Sequence, residues 1–190
     1  MIFWIVKIIT FIPICILFPT RVIGKKNLPK GRYILVCNHM SNIDYAYLFN
    51  FIWKKQYVLA KDSLFRNRII GGFFKACGGI SVNRDNVGIN TIKNCLRVLK
   101  NNKILTIFPE GTRNKTDAEL LEFKAGASIL AIKSNAPIVP VFITKKPKIF
   151  HINKIVIGKP MYFNNDYMGE NGTNKANEEI KEAMLKLKNQ

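Results

Sequence analysis

Two short apolar runs, each ending abruptly in polar residues, constrain the fold of this chain more than any other feature of its sequence. Residues 33–37 lead into Asn38-His39-Met40-Ser41-Asn42-Ile43-Asp44, and residues 104–108 lead into Pro109-Glu110-Gly111-Thr112-Arg113. Short, continuous apolar runs of this kind are typical of strands buried in a covered sheet. Ligands of open α/β sheets bind beyond the carboxyl ends of the strands, so we expect both polar segments at one ligand-binding edge.

The rest of the chain alternates between strand-like and helix-like patterns. We predict further strands at residues 56–60, 78–82, 138–143 and 151–157, and helices at 43–53, 64–76, 89–100 and 124–133. Ile180, Met184 and Leu187 mark an amphipathic C-terminal helix, and residues 164–174 form a loose stretch before it. This order of elements predicts a single α/β domain with a mostly parallel mixed sheet covered by helices.

The N-terminal residues 1–18 are almost wholly apolar, with interruptions at Lys7, Thr10 and Pro13. About 20 apolar residues are needed to span a bilayer as a helix, so this run is marginal for a span. We predict that residues 1–20 form a membrane-associating helix that lies in the interface or dips into one leaflet, ahead of a folded domain at 21–190. A true span and a helix buried against the domain are the alternatives.

The charge of the chain indicates anionic partners without identifying them. The formal net charge is +18, and five cations at positions 21, 25, 26, 30 and 32 directly follow the apolar segment. A basic cluster in that position predicts contact with anionic lipid at the cytoplasmic face of the cell membrane. Nucleic-acid binding is not indicated, because aromatic and basic residues do not interleave and no recognised motif occurs. The four cysteines and two histidines show no metal-binding spacing, so no metal site is expected.

The first polar segment contains a histidine and an aspartate five positions apart, which would face different sides of one continuous helix. We place His39 in the turn after the strand, with Ser41 or Asn42 capping the next helix. Asp44 then falls in the first turn of that helix and can contact the imidazole of His39. A carboxylate on one ring nitrogen fixes the tautomer and leaves the other nitrogen as a general base. The spacing alone also fits a polar loop histidine beside an aspartate that favours the helix dipole.

Cations at the ends of three other strands indicate an anion-binding site. Gly111 shapes a turn in the second polar segment, and Thr112 and Arg113 beyond it can bind an oxyanion together. Arg84 and Lys61 follow two more of the predicted strands. Each cation alone is more often a solvated surface charge. Their shared position at strand ends favours a phosphate pocket beside a general base.

Four ordered blocks of sequence resemble the 1-acyl-glycerol-3-phosphate acyltransferases of the glycerolipid acyltransferase superfamily. The family pattern N-H-x-x-x-x-D matches at Asn38, His39 and Asp44, and F-P-E-G-T-R matches in full at residues 108–113. Residues 78–85 are similar to the G-x-I-x-V-x-R-D block, and residues 137–141 match P-I-V-P-V. Phe123-Lys124-Ala125-Gly126 is similar to the segment that usually follows the glutamate-arginine block. Two departures are Ser63, where many members have a carboxylate, and a short N-terminal apolar region.

The resemblance implies an enzyme that moves a fatty acyl group from acyl-CoA or acyl carrier protein to the sn-2 hydroxyl of 1-acyl-sn-glycerol-3-phosphate, giving phosphatidic acid. It implies that His39 is the catalytic base, that Asp44 orients it, and that no cofactor beyond the acyl donor and no metal are required. The residues implied for the acceptor phosphate are Lys61, Arg84, Gly111, Thr112 and Arg113. Asn38 and Glu110 would support the site, with Glu110 holding Arg113 and the turn.

Two other functions fit parts of the same sequence. A related acyltransferase could use another lysophospholipid, glycerol-3-phosphate or an amino-lipid as acceptor, because the blocks indicate acyl transfer better than they indicate the acceptor. A basic membrane-binding module without catalysis would keep the fold, but the intact His39 and Asp44 argue against it. The expected partners are therefore the lysophospholipid, the acyl thioester and a membrane surface with anionic lipid.

Overall fold

The computed structural model describes residues 2–83 and 87–190 and contains a seven-stranded sheet with helices on both faces. The helices are α1 (Ile2–Leu17), α2 (Asp44–Phe51), α3 (Arg68–Ala76), α4 (Ile89–Lys100), α5 (Gly126–Ser134) and α6 (Glu170–Lys188). The strands are β1 (Thr20–Ile23), β2 (Tyr33–Cys37), β3 (Gln56–Lys61), β4 (Gly79–Val82), β5 (Ile104–Ile107), β6 (Ile138–Ile143) and β7 (Asn153–Ile157).

The sheet has the strand order β1-β7-β6-β2-β5-β3-β4. The pairs among β6, β2, β5, β3 and β4 are all parallel, while β7 is antiparallel to β6 and parallel to β1. This is the predicted single α/β domain with a mostly parallel mixed sheet. Because β2 lies at the centre, its carboxyl end is flanked by the loops that follow β5 and β6.

The central strand β2 is buried along its whole length because both of its faces are covered. Ile34 and Val36 belong to a core shared with α4, α5 and α6, whereas Tyr33, Leu35 and Cys37 pack on the side of α2. Successive side chains of a strand point to opposite faces, which explains this division. The continuous apolar run at residues 33–37 is therefore a strand buried on both sides, as its sequence predicts.

Three local features differ from the sequence predictions. The edge strand β1 was not predicted, because its four residues include Thr20 and Arg21 and its pairing partner β7 is far away in sequence. The predicted loose stretch at 164–174 contains the start of α6 at Glu170. The predicted helix at 64–76 is divided by Asn67, whose side chain accepts hydrogen bonds from the backbone N–H groups of the first turn of α3.

Helix α1 packs one side against α2 through a buried lysine. The ammonium group of Lys7 donates hydrogen bonds to the backbone carbonyls of Phe49 and Ile52, at the carboxyl end of α2, and the second of these bonds is 2.8 Å long. A cation there satisfies carbonyls that lack helical partners and complements the helix dipole. Phe3 packs edge-on against Phe49 beside this contact. Lys7 thus fastens α1 to the domain.

The outer side of α1 carries large exposed apolar residues. They are Ile2, Trp4, Ile5, Ile8, Ile9, Ile12, Ile16 and Leu17. Helix α1 has 16 residues, and no helix within 2–83 or 87–190 is long and apolar enough to cross a membrane.

The burial of Lys7 predicts a distinctive pH dependence of stability. Burial lowers the pKa of Lys7 from 10.5 to about 8. Between these values the unfolded chain binds a proton that the folded chain has lost, so the lysine's contribution to the free energy of unfolding increases as the pH rises. The increase should be about 2 kcal/mol between pH of about 7.5 and about 9.5. Chemical denaturation of the wild type and of Lys7→Met should show it as a difference between the two proteins.

Lys103→Met is the matched control, because Lys103 is exposed. This variant should keep the wild-type increase in stability. Parallel pH profiles for the wild type and Lys7→Met would contradict the burial of Lys7 against α2.

Candidate active site

The imidazole of His39 and the carboxylate of Asp44 form a buried pair at the carboxyl end of β2. His39 Nδ1 lies 2.8 Å from Asp44 Oδ2, and the same oxygen accepts hydrogen bonds of 2.7 Å from the backbone N–H groups of Met40 and Ser41. Ile43, and neither Ser41 nor Asn42 as predicted, is the N-cap of α2. Since Nδ1 must carry the proton to donate to a carboxylate, Nε2 carries the lone pair and can act as a base.

A second buried carboxylate holds the backbone of His39. Glu110 Oε1 accepts a hydrogen bond of 2.8 Å from the N–H of His39, and Oε2 accepts one of 3.0 Å from the N–H of Leu121. Burial raises the pKa of the Glu110 carboxyl, while these two donors oppose the shift. The prediction that Glu110 holds Arg113 is wrong in this respect, because its oxygens bind backbone N–H groups. Glu110 instead joins the loop after β5 to the histidine.

Asn38 joins the same point of β2 to β6 on the other side. Its amide group donates to the carbonyl of Ile143 at 3.0 Å and accepts from the N–H of Ile143 at 2.8 Å. The carbonyl of His39 in turn accepts a hydrogen bond of 2.7 Å from the N–H of Asn114. These contacts fix the backbone of His39 relative to both neighbouring loops.

One side of His39 borders an apolar cavity of about 330 Å³. Its walls come from α4, α5 and the ends of β3, β4 and β5, and they include Leu59, Val82, Ile92, Cys95, Ile107 and Leu130. The ring of Phe108 stacks on the imidazole with a centroid separation of 4.3 Å and an interplanar angle of 26°. The stacking leaves the histidine at the wall of the cavity. Such a cavity suits a hydrocarbon chain, because polar groups buried there would lack partners.

A cationic cleft lies next to His39 along the chain. It is lined by Met40, Ser41, Asn42, Ile43, Arg113, Lys115 and Lys146. Three cations in one cleft suit an anionic group, and the guanidinium of Arg113 can hold two oxygens of a phosphate at once. His39 therefore borders the apolar cavity, and the four residues that follow it border the cationic cleft.

The other residues predicted to bind phosphate lie in different places. Gly111 lines the apolar cavity and has a φ of +66°, and a Cβ atom there would come within 2.8 Å of the Lys124 side chain. Thr112 is exposed in the turn between Gly111 and Arg113. Lys61 ends β3 at the same edge of the sheet but lines neither the cavity nor the cleft. Arg84 lies outside the described residues.

Three lysines at the site were not predicted from the sequence. Lys124 lines the apolar cavity above Gly111, while Lys115 and Lys146 line the cationic cleft. Lys124 belongs to the F-K-A-G block, which was a usable indication. Lys115 and Lys146 belong to none of the family-pattern blocks and are two of many lysines in the chain. Their sequence positions therefore did not indicate that they belong to the site. Within 2–83 and 87–190, no group of three or more His, Cys, Asp or Glu residues could hold a metal ion.

The sequence is similar to a known family of enzymes. Residues 19–144 match the family model described as Acyltransferase. The chain is 34% identical over 153 residues to 1-acyl-sn-glycerol-3-phosphate acyltransferase of Bacillus subtilis, covering 75% of this chain and 73% of that protein. It is 37% identical over 128 residues to the Saccharomyces cerevisiae protein of the same name, covering 65% of this chain and 42% of that protein.

The fold is also similar to a solved structure. The crystal structure of the 1-acyl-sn-glycerophosphate (LPA) acyltransferase PlsC from Thermotoga maritima matches with a TM-score of 0.70 and 25% sequence identity. The match covers 90% of this chain and 71% of that chain. The similarity therefore extends over nearly the whole of the fold described above.

The two hydrogen bonds between the Asn38 side chain and the backbone of Ile143 form a clamp between the end of β2 and β6. We expect mutation of Asn38 to have a large effect on stability. Asn38→Ala leaves a buried N–H and a buried carbonyl of Ile143 without partners, which should lower the free energy of unfolding by about 2–4 kcal/mol. Asn38→Asp keeps the volume but sets a carboxylate against the Ile143 carbonyl, so it should also destabilise. Urea denaturation measures both effects.

Asn174→Ala is the control, because Asn174 is an exposed asparagine on α6. It should change the free energy of unfolding by less than about 0.5 kcal/mol. Equal stabilities of Asn38→Ala and Asn174→Ala would show that the clamp does not hold β2 to β6.

Proposed function

The chain belongs to the acyltransferase family of the 1-acyl-sn-glycerol-3-phosphate acyltransferases, and from this we propose that it acylates the sn-2 hydroxyl of 1-acyl-sn-glycerol-3-phosphate, giving phosphatidic acid. The observation that carries the proposal is the position of the His39–Asp44 pair, because His39 lines an apolar cavity and the residues between His39 and Asp44 line a cationic cleft. Lysophosphatidate has a hydroxyl group between an acyl chain and a phosphate. An acyl thioester supplies a second apolar chain.

The chemistry follows from the free nitrogen of the histidine. Nε2 of His39 removes the proton of the sn-2 hydroxyl as its oxygen attacks the thioester carbonyl. The carbon–sulfur bond then breaks, and the thiolate leaves with the proton returned by His39. Asp44 keeps the imidazole in the required tautomer and stabilises the transient imidazolium. No covalent intermediate between enzyme and acyl group forms.

The two recesses would take the two kinds of substrate group. The cleft containing Arg113, Lys115 and Lys146 would bind the phosphate of the acceptor, and the apolar cavity would bind an acyl chain. Lys61, which ends β3, and Arg84 stay predicted contributors to phosphate binding. Lys124 lies at the cavity wall beside Gly111.

The acceptor would reach the enzyme from a membrane surface. We infer that α1 lies in the interface, because its outer side is apolar and its inner side is fastened to α2 through Lys7. The basic residues at positions 21–32 support contact with anionic lipid at the cytoplasmic face of the cell membrane. Both acyl-CoA and acyl carrier protein fit as donors, and offering each to the purified enzyme in detergent with a panel of lyso-acceptors would identify the pair it uses.

Removal of the base should abolish acyl transfer. His39→Ala should lower kcat by at least about 10²–10⁴-fold, because a positioned base is typically worth this factor. Asp44→Asn should also lower kcat despite its equal size, since the amide cannot accept from Nδ1 and both backbone N–H groups in the same way. Release of free thiol from the acyl donor measures the rate, and circular dichroism checks the fold.

Asp117→Asn is the control for the loss of a carboxylate, because Asp117 is exposed. It should keep the wild-type rate. Wild-type turnover by a folded His39→Ala protein would overturn the mechanism.

Changes to the cations of the cleft should weaken acceptor binding more than donor use. Arg113→Lys and Lys146→Ala should each raise the KM for lysophosphatidate several-fold. In the first variant an ammonium cannot replace the two-pronged guanidinium, and in the second the cleft loses a cation. The KM for the thioester should change much less. Lys133→Ala, which removes an exposed cation of α5, should change neither constant. Equal increases in both KM values would contradict a phosphate site in this cleft.

A further inference from the structure

The loop between β6 and β7 exposes three large apolar side chains close together. Ile149, Phe150 and Ile152 are 53%, 71% and 84% exposed, respectively. Burying such side chains would release a large apolar area from water. Exposed clusters of this kind mark surfaces that contact a partner or a membrane. We therefore expect an apolar partner or a membrane to cover the loop at residues 144–152.

The structure of the loop is held by its own hydrogen bonds. The buried Asn153 accepts from the N–H of Lys148 at 3.0 Å and donates to the carbonyls of Lys148 and His151 at 3.1 Å and 2.7 Å. Phe150 has a φ of +58°, in the left-handed region that non-glycine residues rarely adopt. An unfavourable backbone conformation is thus maintained at the residue that exposes an aromatic ring.

The loop is continuous with the apolar side of α1. The N–H of Phe150 donates a hydrogen bond of 2.6 Å to the carbonyl of Leu17, the last residue of α1, and the N–H of Asn153 donates one of 2.7 Å to the carbonyl of Pro19. The exposed isoleucines of α1, such as Ile12 and Ile16, lead towards this junction. Loop and helix therefore form one apolar surface.

The charged residues of the loop and of the segments joined to it are all basic. Lys145, Lys146, Lys148 and Lys154 accompany the apolar residues of the loop. The segments at residues 1–43 and 123–165 contain no aspartate or glutamate. Apolar side chains flanked by lysines match the boundary between the acyl chains and the anionic headgroups of a bilayer.

We propose that the loop at residues 144–152 is a second membrane-inserting element, which enters an anionic lipid surface beside α1 through Ile149, Phe150 and Ile152. The inference rests on the proposed function in taking a lipid as acceptor. It also defines how the enzyme is oriented on the membrane, because Lys146 of the loop lines the cationic cleft. Insertion sets the cleft at the level of the headgroups, so an acceptor phosphate enters it without leaving the membrane.

The first test replaces the apolar side chains of the loop in the full-length chain. Phe150→Asn combined with Ile152→Asn should preserve the fold, because both side chains are exposed and asparagine tolerates the left-handed conformation. Binding to vesicles of phosphatidylglycerol and phosphatidylcholine in equal parts should weaken by about tenfold or more. The difference should persist in about 1 M salt, where the Debye length is only about 3 Å.

Tyr162→Asn is the matched control. Tyr162 is 72% exposed and follows Met161, which pairs with Ile138. Ile138 is the first residue of β6, whereas the loop follows the last residue of that strand. Its replacement should leave vesicle binding at the wild-type level. Equal binding by the wild type and the folded double variant would overturn the proposal.

The second test detects insertion directly. With Cys15→Ser as background, Ile152→Cys and Tyr162→Cys are each labelled with an environment-sensitive nitrobenzoxadiazole dye. Addition of the same vesicles should increase and blue-shift the emission at position 152 and leave that at position 162 unchanged. The same response at both positions, or none at position 152, would show that the loop does not enter the lipid. Neither test needs turnover, so its failure is distinguishable from failure of the proposed acyl transfer.

Discussion

His39 is held between two buried carboxylates, and the geometry of the site depends on this arrangement. Asp44 binds the side chain of His39 and Glu110 binds its backbone N–H, each at 2.8 Å. Buried carboxylates are costly unless donors compensate for lost hydration. Here the backbone N–H groups of Met40 and Ser41 donate to Oδ2 of Asp44, and that of Leu121 donates to Glu110. Within the described residues, Oδ1 of Asp44 has no hydrogen-bond partner. The loops carrying these donors are therefore fixed by the same contacts that orient the imidazole.

The central position of β2 explains why the histidine has two different environments. The helices α4 and α5 enclose an apolar cavity beside the end of β5, whereas the segment after His39 meets Arg113, Lys115 and Lys146 in an open cleft. A parallel sheet brings all these strand ends to one edge. The two recesses thus differ in chemistry but are bordered by consecutive residues of one loop, from His39 to Ile43.

Local sequence determined most of the secondary structure and one contact of the site. The strands at 33–37 and 138–143 and the helix at 89–100 agree with their predicted bounds, because their patterns reflect burial on nearby faces. The contact of His39 with Asp44 could also be predicted, since a turn and one helical turn bring residues five positions apart together. The edge strand β1 could not, because it depends on β7, more than a hundred residues away in the chain.

Tertiary structure alone decided the roles of residues distant in sequence. Glu110 contacts a backbone N–H at a separation of 71 residues, and no local pattern specifies which of several donors a buried carboxylate will meet. The same holds for Lys7, which the sequence presents as an interruption of an apolar run and the fold uses to cap α2. Lys146 is one of many lysines until the loop after β6 brings it to Arg113. The sequence by itself determined the family, the α/β class and the residues of the local motif, because these depend on short-range patterns. Which charges share a cleft and which apolar residues remain exposed depends on long-range packing, so only the folded chain decided them.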